Sequence, residues 1–170
     1  AGVCTATSGP RATNLITGIA TAYMDSIPMV ALTGQVATKL IGKDAFQEVD
    51  ITGATLPFTK HSYLIKDGLD IPRVVNEAFH IANTGRPGPV LIDFPMDLLK
   101  KEFDYPDEDE DVNIRGYKLM GKANESQVKK VAEAIKGAKK PVILAGGGVV
   151  ISDATNEFRK FVKETDIPVG

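Results

Sequence analysis

A polar segment that follows a short apolar run contains the side chains best suited to contact a cofactor or a substrate. The apolar run, residues 29–32, predicts a buried strand that ends at Thr33-Gly34. Open α/β sheets bind ligands in the loops after the carboxyl ends of their strands, so the segment predicts the mouth of a polar site. Its amide, basic, aromatic and acidic side chains are Gln35, Lys39, Lys43, Phe46, Gln47 and Glu48.

Two other positions could contact an anionic or planar group. Arg86 lies in a Gly- and Pro-rich turn before a predicted strand, where a guanidinium can bind an anion or stack on a ring. A surface charge is the alternative. Gly146-Gly147-Gly148 could let backbone amides approach a phosphate ahead of a helix. Because Ile151 replaces the last glycine of G-x-G-x-x-G, a tight turn is the alternative there.

The remaining candidates have simpler interpretations. His61 and His80 have no acidic or cysteine partner at a metal-ligand spacing, so we interpret both as structural. Lys60, at a strand entry, has the pattern of an ordinary solvated lysine. Cys4, within a strand-like run, is interpreted as a small hydrophobic residue and not as a nucleophile.

Composition restricts the class of protein. The chain has 170 residues, a net charge of −2 and a pI of about 5.7, which gives no basic surface for nucleic acid or for a membrane. The longest apolar stretch, residues 142–151, is interrupted by three glycines and is too short to span a bilayer. A single cysteine excludes a disulfide framework and fits a reducing compartment, so we expect a cytoplasmic protein.

Strand-like and helical segments alternate along the chain, which predicts an α/β fold with a parallel sheet. The strands are predicted at residues 3–7, 29–32, 59–65, 89–94 and 141–145. The helices are predicted from Pro10 to Tyr23, over residues 71–82, after Asn124 and from about Ser152. The run at 89–94 is apolar except for Asp93, which is typical of a strand covered on both faces.

The composition changes after Pro95. Residues 104–111 hold six acidic residues in eight positions without helical or strand periodicity, which predicts a solvated linker. A calcium-binding EF-hand loop is the alternative, but its glycine and terminal glutamate are missing at the required spacings. The first residue is not Met, and the last four look like the start of a strand, so we expect a piece of a longer protein.

Seven motifs run in order along the chain: Thr7-Ser8-Gly9-Pro10, Asp25-Ser26-Ile27-Pro28, Thr33-Gly34-Gln35-Val36, Ile41 to Glu48, Thr59-Lys60-His61, Gly85 to Val90 and Gly146-Gly147-Gly148. Together they resemble the catalytic large subunit of acetohydroxyacid synthase, also called acetolactate synthase, a family of thiamine-diphosphate enzymes. The resemblance covers nearly the whole chain and is densest over residues 5–95. Asp44-Ala45-Phe46-Gln47-Glu48 is specific to the biosynthetic branch of these enzymes.

The resemblance implies a three-layer, parallel-sheet domain that binds the pyrimidine of thiamine diphosphate, truncated here and followed by the start of a Rossmann-like central domain. The pyrimidine-binding domain would occupy residues 1–97, an acidic linker 98–121 and the FAD-associated central domain 122–170.

Site roles follow from the same resemblance. Gln47 matches a glutamine near thiamine diphosphate, Phe46 matches an aromatic wall of the substrate channel, and Lys60 matches a lysine of the access channel. The positions that match contacts with FAD are Ser26, Arg86 and Gly147.

The implied activity is that of a transferase in isoleucine and valine biosynthesis. Pyruvate would be decarboxylated on thiamine diphosphate, and the two-carbon unit would condense with pyruvate or 2-oxobutanoate. FAD would be structural. The Mg²⁺ ligands and the activating glutamate would lie outside these residues, so we expect the chain alone to be inactive.

The family also implies a homodimer or tetramer of the full-length subunit and allows a small regulatory subunit. Two other functions stay open at this point: a non-catalytic flavin- or nucleotide-binding module, and another FAD-containing thiamine carboligase. The chain departs from the family pattern at three positions, with Arg11 in place of glycine, Ala37 in place of proline and Met96 in place of lysine. Arg11 is unfavourable by about 0.3–1 kcal/mol as a cation near a helix N-terminus.

Overall fold

The computed structural model describes residues 1–104, 112–119 and 121–170. The predicted acidic linker is centred on residues 105–111, which lie outside the described residues. The chain divides into two compact units, Ala1–Leu119 and Met120–Gly170. Within the described ranges, none of the helices has the length and apolar character needed to cross a bilayer.

The first unit is built on a four-stranded parallel sheet. Its strands are β1 (Gly2–Ala6), β2 (Met29–Gln35), β3 (His61–Leu64) and β4 (Pro89–Pro95), in the spatial order β1-β2-β4-β3. Parallel neighbours need crossover connections, which here carry α1 (Pro10–Thr13), α2 (Ile16–Met24), α3 (Ile51–Thr55) and α4 (Ile71–Asn83). The predicted parallel α/β fold is confirmed.

Helices cover both faces of the sheet and make it the middle of three layers. Val30, Val90 and Ile92 point to the face that packs against α4. The alternate positions Ala31 and Leu91 point to the opposite face and pack against residues of α1, α2 and α3. All seven residues of β4 are buried, as the apolar run predicted. Burying each large aliphatic side chain stabilises the fold by about 1.5–3 kcal/mol.

Local signals in the sequence explain α4. Pro72 lies in its first turn, where a missing N–H costs nothing. Arg73 donates to Asp70 at 2.8 Å and to Glu77 at 2.9 Å, bridging neighbours three and four residues away on the helix surface. These pairs are exposed to solvent and stabilise the helix only slightly. The predicted helix over 71–82 is confirmed within one residue.

Two elements of the first unit differ from the prediction. The helix expected from Pro10 to Tyr23 is split, because the amide of Leu15 donates to Ala12 three residues back and so tightens the chain between α1 and α2. Strand β2 extends through Gln35, three residues beyond the predicted end, because all seven of its residues pair with β4.

The second unit contains α5 (Glu125–Gly137), α6 (Gly148–Ile151) and α7 (Thr155–Thr165). Asn124 caps α5 by accepting from the amides of Ser126 and Gln127, as its position predicted. The strand predicted at 141–145 is reduced to one parallel bridge between Ile143 and Val169, since a strand needs a longer partner to form a ladder. The helix expected from about Ser152 begins at Thr155 as α7, and the four-residue α6 precedes it.

Candidate functional site

An open cavity of about 690 Å³ lies at the carboxyl edge of the sheet. Its walls are formed where β1, β2 and β4 end, together with one cationic side chain. Open parallel sheets bind ligands at this edge. The residues that line the cavity are Thr5, Ala6, Thr7, Arg11, Leu32, Thr33, Gly34, Phe94 and Leu99.

The loop of residues 36–50 follows β2 at the same edge and has an unusual backbone. Gly42, Asp44 and Gln47 have φ angles of +79°, +52° and +60°. The left-handed region is unfavourable for residues with a Cβ atom, and such residues cluster at functional sites. Phe46 is 89% exposed at the end of this turn.

Gln47 lies against the turn that joins β1 to α1. Gly9 in that turn has a φ of +66°, and a Cβ atom added there would come within 2.8 Å of both the Cβ atom and the carbonyl oxygen of Gln47. Only glycine allows this contact, because it combines a left-handed φ with the absence of a side chain. The Ser8-Gly9-Pro10 motif and the Gln47 motif therefore form one surface.

A buried hydrogen-bond network supports the beginning and the end of the loop. Asp93 accepts a hydrogen bond from the Thr33 hydroxyl at 2.7 Å and from the Gln35 amide at 2.8 Å. The same Gln35 nitrogen donates to the carbonyl of Val49 at 2.8 Å, and its side-chain oxygen accepts from the amide of Val36 at 2.9 Å. Gln35 thus ties together the two ends of the loop that carries Phe46 and Gln47.

Asp93 is 1% exposed, and burial raises its pKa to about 6. The hydrogen bonds from Thr33 and Gln35 act in the opposite direction, and the negative charge of Asp50 raises the pKa further. Asp50 itself caps α3 by accepting from the amide of Gly53 at 2.8 Å.

Two more carboxylates stabilise the loop at positions between its two ends. Asp97, just after β4, accepts from the amide of Thr38 at 2.9 Å and from its hydroxyl at 2.5 Å. Glu48 accepts from the amides of Gly42 and Ala45, the latter at 2.9 Å. These hydrogen bonds lower the pKa of both carboxyl groups.

Ser26 and Arg86 meet at the opposite, amino edge of the sheet. The Nε atom of Arg86 donates to the Ser26 hydroxyl at 2.7 Å, and a second guanidinium nitrogen donates to the carbonyl of Met24 at 3.2 Å. Ser26 has a φ of +58°. Two of the three residues predicted to contact FAD are therefore neighbours, at an edge of the sheet remote from Gln47.

Lys60 also lies at the amino edge, immediately before β3. Its Nζ atom donates to the carbonyls of Ile81 and Thr84, the latter at 2.6 Å, and lies 3.3 Å from the hydroxyl of Tyr117. A cation at the C-terminus of α4 interacts favourably with the helix carbonyls. The interpretation of Lys60 as an ordinary solvated lysine is wrong for this reason. The structure does not bring it together with Phe46 and Gln47.

Gly147 lies in the second unit, at the start of the four-residue helix α6. None of the three consecutive glycines there has a positive φ, and a Cβ atom added to any of them would meet no other atom within 4 Å. Neither backbone strain nor packing within the described residues requires glycine at these positions. The amides of Val149 and Val150 nevertheless donate to the carbonyls of Gly146 and Gly147, three residues back, at 3.2 and 3.1 Å, so the chain makes the tight turn given as the alternative.

Sequence reasoning missed Asp93, Thr33 and Asp97. Asp93 did leave a signal, because it is the one charged residue in the otherwise apolar strand β4. A charge in a buried strand is retained only where hydrogen bonds compensate for its desolvation. Within the part of the chain that the structure describes, no three His, Cys, Asp or Glu side chains are grouped closely enough to hold a metal ion.

Comparison with known protein families gives two matches. Residues 1–54 match the thiamine pyrophosphate enzyme, N-terminal TPP binding domain, and residues 128–170 match the thiamine pyrophosphate enzyme, central domain.

Curated proteins provide close relatives. The chain is 54% identical to an acetolactate synthase of Mycobacterium bovis over 170 residues, which is 99% of this chain and 27% of the relative. It is 54% identical to a probable acetolactate synthase large subunit of Methanocaldococcus jannaschii over 172 residues, which cover 99% of this chain and 29% of the relative. It is 51% identical to an acetolactate synthase large subunit of Buchnera aphidicola over 99% of this chain and 30% of the relative. The chain thus spans less than a third of the length of these relatives.

Proposed function

Because the chain belongs to the acetolactate synthase large-subunit family of thiamine pyrophosphate enzymes, we propose that the full-length protein containing it is an acetolactate synthase. The protein decarboxylates pyruvate and joins the two-carbon unit to a second 2-oxo acid, either pyruvate or 2-oxobutanoate. The observation that carries the proposal is the contact of Gln47 with Gly9 at the carboxyl edge of the sheet, within the part that matches the TPP-binding domain.

Thiamine diphosphate fits the chemistry of this edge. Bound there, the cofactor supplies the electron sink that decarboxylation requires. The side-chain amide of Gln47 offers both a donor and an acceptor, which suits the polar edge of a pyrimidine ring. We assign Gln47 to cofactor binding and orientation.

Phe46 is assigned to the wall of the substrate channel. Its ring is almost fully exposed in this chain, so it is available to cover a bound ligand. An aromatic wall contributes by positioning the reactants and by excluding water from them, and it requires no proton transfer.

FAD is proposed as a structural cofactor at Ser26, Arg86 and Gly147. The contacts of Arg86 with Ser26 and with the carbonyl of Met24 hold the guanidinium in place, which favours recognition of an anionic or planar group. The open space around Gly147 leaves room for a close backbone approach. Mg²⁺ is assigned no ligand and no step among the residues of this chain.

Lys60 is proposed as an access-channel residue. The resemblance alone supports this role, since the hydrogen bonds of Lys60 are directed to the end of α4. The domain proposal keeps the pyrimidine-binding domain at 1–97, the linker at 98–121 and the central domain at 122–170. Assembly as a homodimer or tetramer, with or without a small regulatory subunit, completes the proposal.

The decisive experiment measures acetolactate formation by the full-length protein supplied with thiamine diphosphate, Mg²⁺, FAD and pyruvate. We expect activity that depends on thiamine diphosphate. The 170-residue chain alone, given the same additions, is expected to form none. Binding of FAD without any acetolactate would instead support the non-catalytic flavin-binding module, which the similarity to enzymes over 99% of the chain does not favour.

A further inference from the structure

We propose that Glu48 is a positioning residue that holds the turn of residues 42–48 closed from within and so fixes the direction of Phe46 and Gln47. The inference rests on the proposed function, because Gln47 is the residue assigned to the cofactor. It adds a role for a residue whose carboxylate is engaged within its own turn.

Both oxygens of the Glu48 carboxylate are engaged inside its own turn. One accepts from the amide of Gly42, and the other accepts from the amide of Ala45 at 2.9 Å. The backbone of Glu48 donates in return to the carbonyl of Ala45 at 2.9 Å. One side chain therefore closes a seven-residue turn at two points.

The turn needs such closure because little else stabilises it. It contains no helix or strand, and Asp44 and Gln47 have the left-handed φ angles that cost residues with a Cβ atom about 1–2 kcal/mol each. Its side chains are largely exposed, so burial of apolar surface contributes little. Strained conformations persist only where the surrounding contacts determine them.

The closed turn determines where Gln47 lies. The Cβ atom and carbonyl of Gln47 rest on Gly9 with no room for another atom between them. If the Glu48 hydrogen bonds are lost, the left-handed residues can relax and Gln47 can move away from Gly9. The ends of the loop stay anchored by Gln35 and Asp97, so the change is confined to the turn.

The geometry distinguishes a carboxylate from its close substitutes. A glutamine at position 48 has one acceptor oxygen, and its NH₂ group would face an amide that also donates. An aspartate has both oxygens but is one methylene shorter, so it cannot reach both amides from the same backbone position. Glu48→Gln and Glu48→Asp should therefore both open the turn without disturbing the core.

The test compares Glu48→Gln and Glu48→Asp with the unaltered full-length protein and with Glu133→Gln as the matched control. Glu133 lies on the exposed surface of α5 in the second unit, and its side chain makes no hydrogen bond among the described residues. Three quantities are measured: hydrogen exchange of the peptide covering residues 41–48, affinity for thiamine diphosphate with Mg²⁺, and the melting temperature.

We expect faster exchange at residues 41–48 and about tenfold weaker cofactor binding in both Glu48 variants, with an unchanged melting temperature. Glu133→Gln should change none of the three. Unchanged exchange in the Glu48 variants, or faster exchange with wild-type cofactor affinity, would overturn this inference while leaving the proposed function intact. Absence of acetolactate formation by the unaltered protein would instead overturn the proposed function.

Discussion

At the scale of single residues, carboxylates organise the carboxyl edge of the sheet. Asp93 anchors Gln35 and Thr33, Asp97 anchors Thr38, and Glu48 closes the turn before Gln47. Asp93 differs from the other two because it is buried, so its charge is unfavourable and its pKa is raised. The exposed pair have lowered pKa values because amide and hydroxyl donors stabilise their charged forms.

The raised pKa of Asp93 predicts a specific pH dependence of stability. Between its unfolded value of 3.8 and its folded value of about 6, the folded state binds more protons than the unfolded state. The contribution of Asp93 to the free energy of unfolding is therefore greatest below pH 4 and is lost as the pH rises through about 6. At pH 4.5 it amounts to about 2 kcal/mol relative to pH 7.5.

Urea unfolding of the chain and of Asp93→Asn at pH 4.5 and pH 7.5 measures this contribution. The free energy of unfolding at pH 4.5 minus that at pH 7.5 should be about 2 kcal/mol larger for the unaltered chain than for the variant. Glu48 and Asp97 are present in both proteins, so their opposite pH dependence cancels. Parallel pH profiles for the two proteins would show that Asp93 does not titrate in this range.

Gly9→Ala tests the contact on which Gln47 rests. The new Cβ atom would combine a left-handed φ with a 2.8 Å approach to Gln47, so we expect a loss of about 1–3 kcal/mol in the free energy of unfolding. In the full-length protein, affinity for thiamine diphosphate should fall as well.

Gly18→Ala is the matched control for that substitution. Gly18 lies within α2 and has no atom within 4 Å of an added Cβ, so alanine should stabilise the helix by about 0.5–1 kcal/mol. Equal effects of the two substitutions in denaturant melts would mean that the Gly9 contact imposes no strain.

At the scale of elements, the sequence predicted those parts of the fold that local patterns determine. The periodic face of α4, the apolar run of β4 and the Asn124 cap were all located within one residue. The extension of β2 to Gln35 depends on pairing with β4, sixty residues later, and no local pattern signals it. The strand predicted at 141–145 had the right local composition but has only one bridged partner residue.

In the candidate site, too, the features set by the fold class could be predicted and those set by distant pairing could not. Its location after β2 could be predicted, because the carboxyl edge is a property of the fold class. The meeting of Ser26 with Arg86 could not, since sixty residues separate them and neither has a local pattern that names its partner. The network of Thr33, Gln35 and Asp93 depends likewise on the pairing register of two strands.

Hydrogen bonds of Tyr117 attach the segment of residues 112–119 to the end of α4, and a substitution at Tyr117 tests their contribution to stability. Its hydroxyl lies 2.9 Å from the hydroxyl of Thr84 and donates to the Thr84 carbonyl at 3.1 Å. Tyr117→Phe should lower the free energy of unfolding by about 1 kcal/mol, the usual net value of such hydrogen bonds. The control is Tyr23→Phe on the exposed surface of α2, where denaturant melts should show little change. A larger loss at Tyr23 would contradict the assignment.

At the scale of the whole molecule, the two units differ greatly in burial. The first contains two core clusters on the two faces of the sheet. In the described part of the second unit, Ile167 is the one buried hydrophobic residue, while Leu144 is 89% exposed and Val150 is 72% exposed. A region with few buried apolar contacts opens locally at low free-energy cost.

Hydrogen exchange followed residue by residue should reveal this difference in the 170-residue chain. We expect amides of β2 and β4 to exchange slowest and those of α5 and α7 to exchange much faster, because the latter helices bury none of their residues. Similar protection in both units would show that the second unit is stabilised by contacts beyond those described. The same measurement on the full-length protein should show increased protection of α5 and α7 if other segments cover their apolar side chains.

The strand order also has a consequence for the timing of synthesis. The two central strands pair residue 29 with residue 89, so β4 leaves the ribosome about sixty residues after β2. At the usual rate of about 5–20 residues per second, this delay lasts roughly 3–12 s. Throughout that interval, β2 has only β1 as a neighbour and presents an edge of unpaired backbone N–H and C=O groups beside its apolar side chains. We therefore expect the nascent chain to be most vulnerable to aggregation, and most dependent on chaperones, just before residues 89–95 emerge.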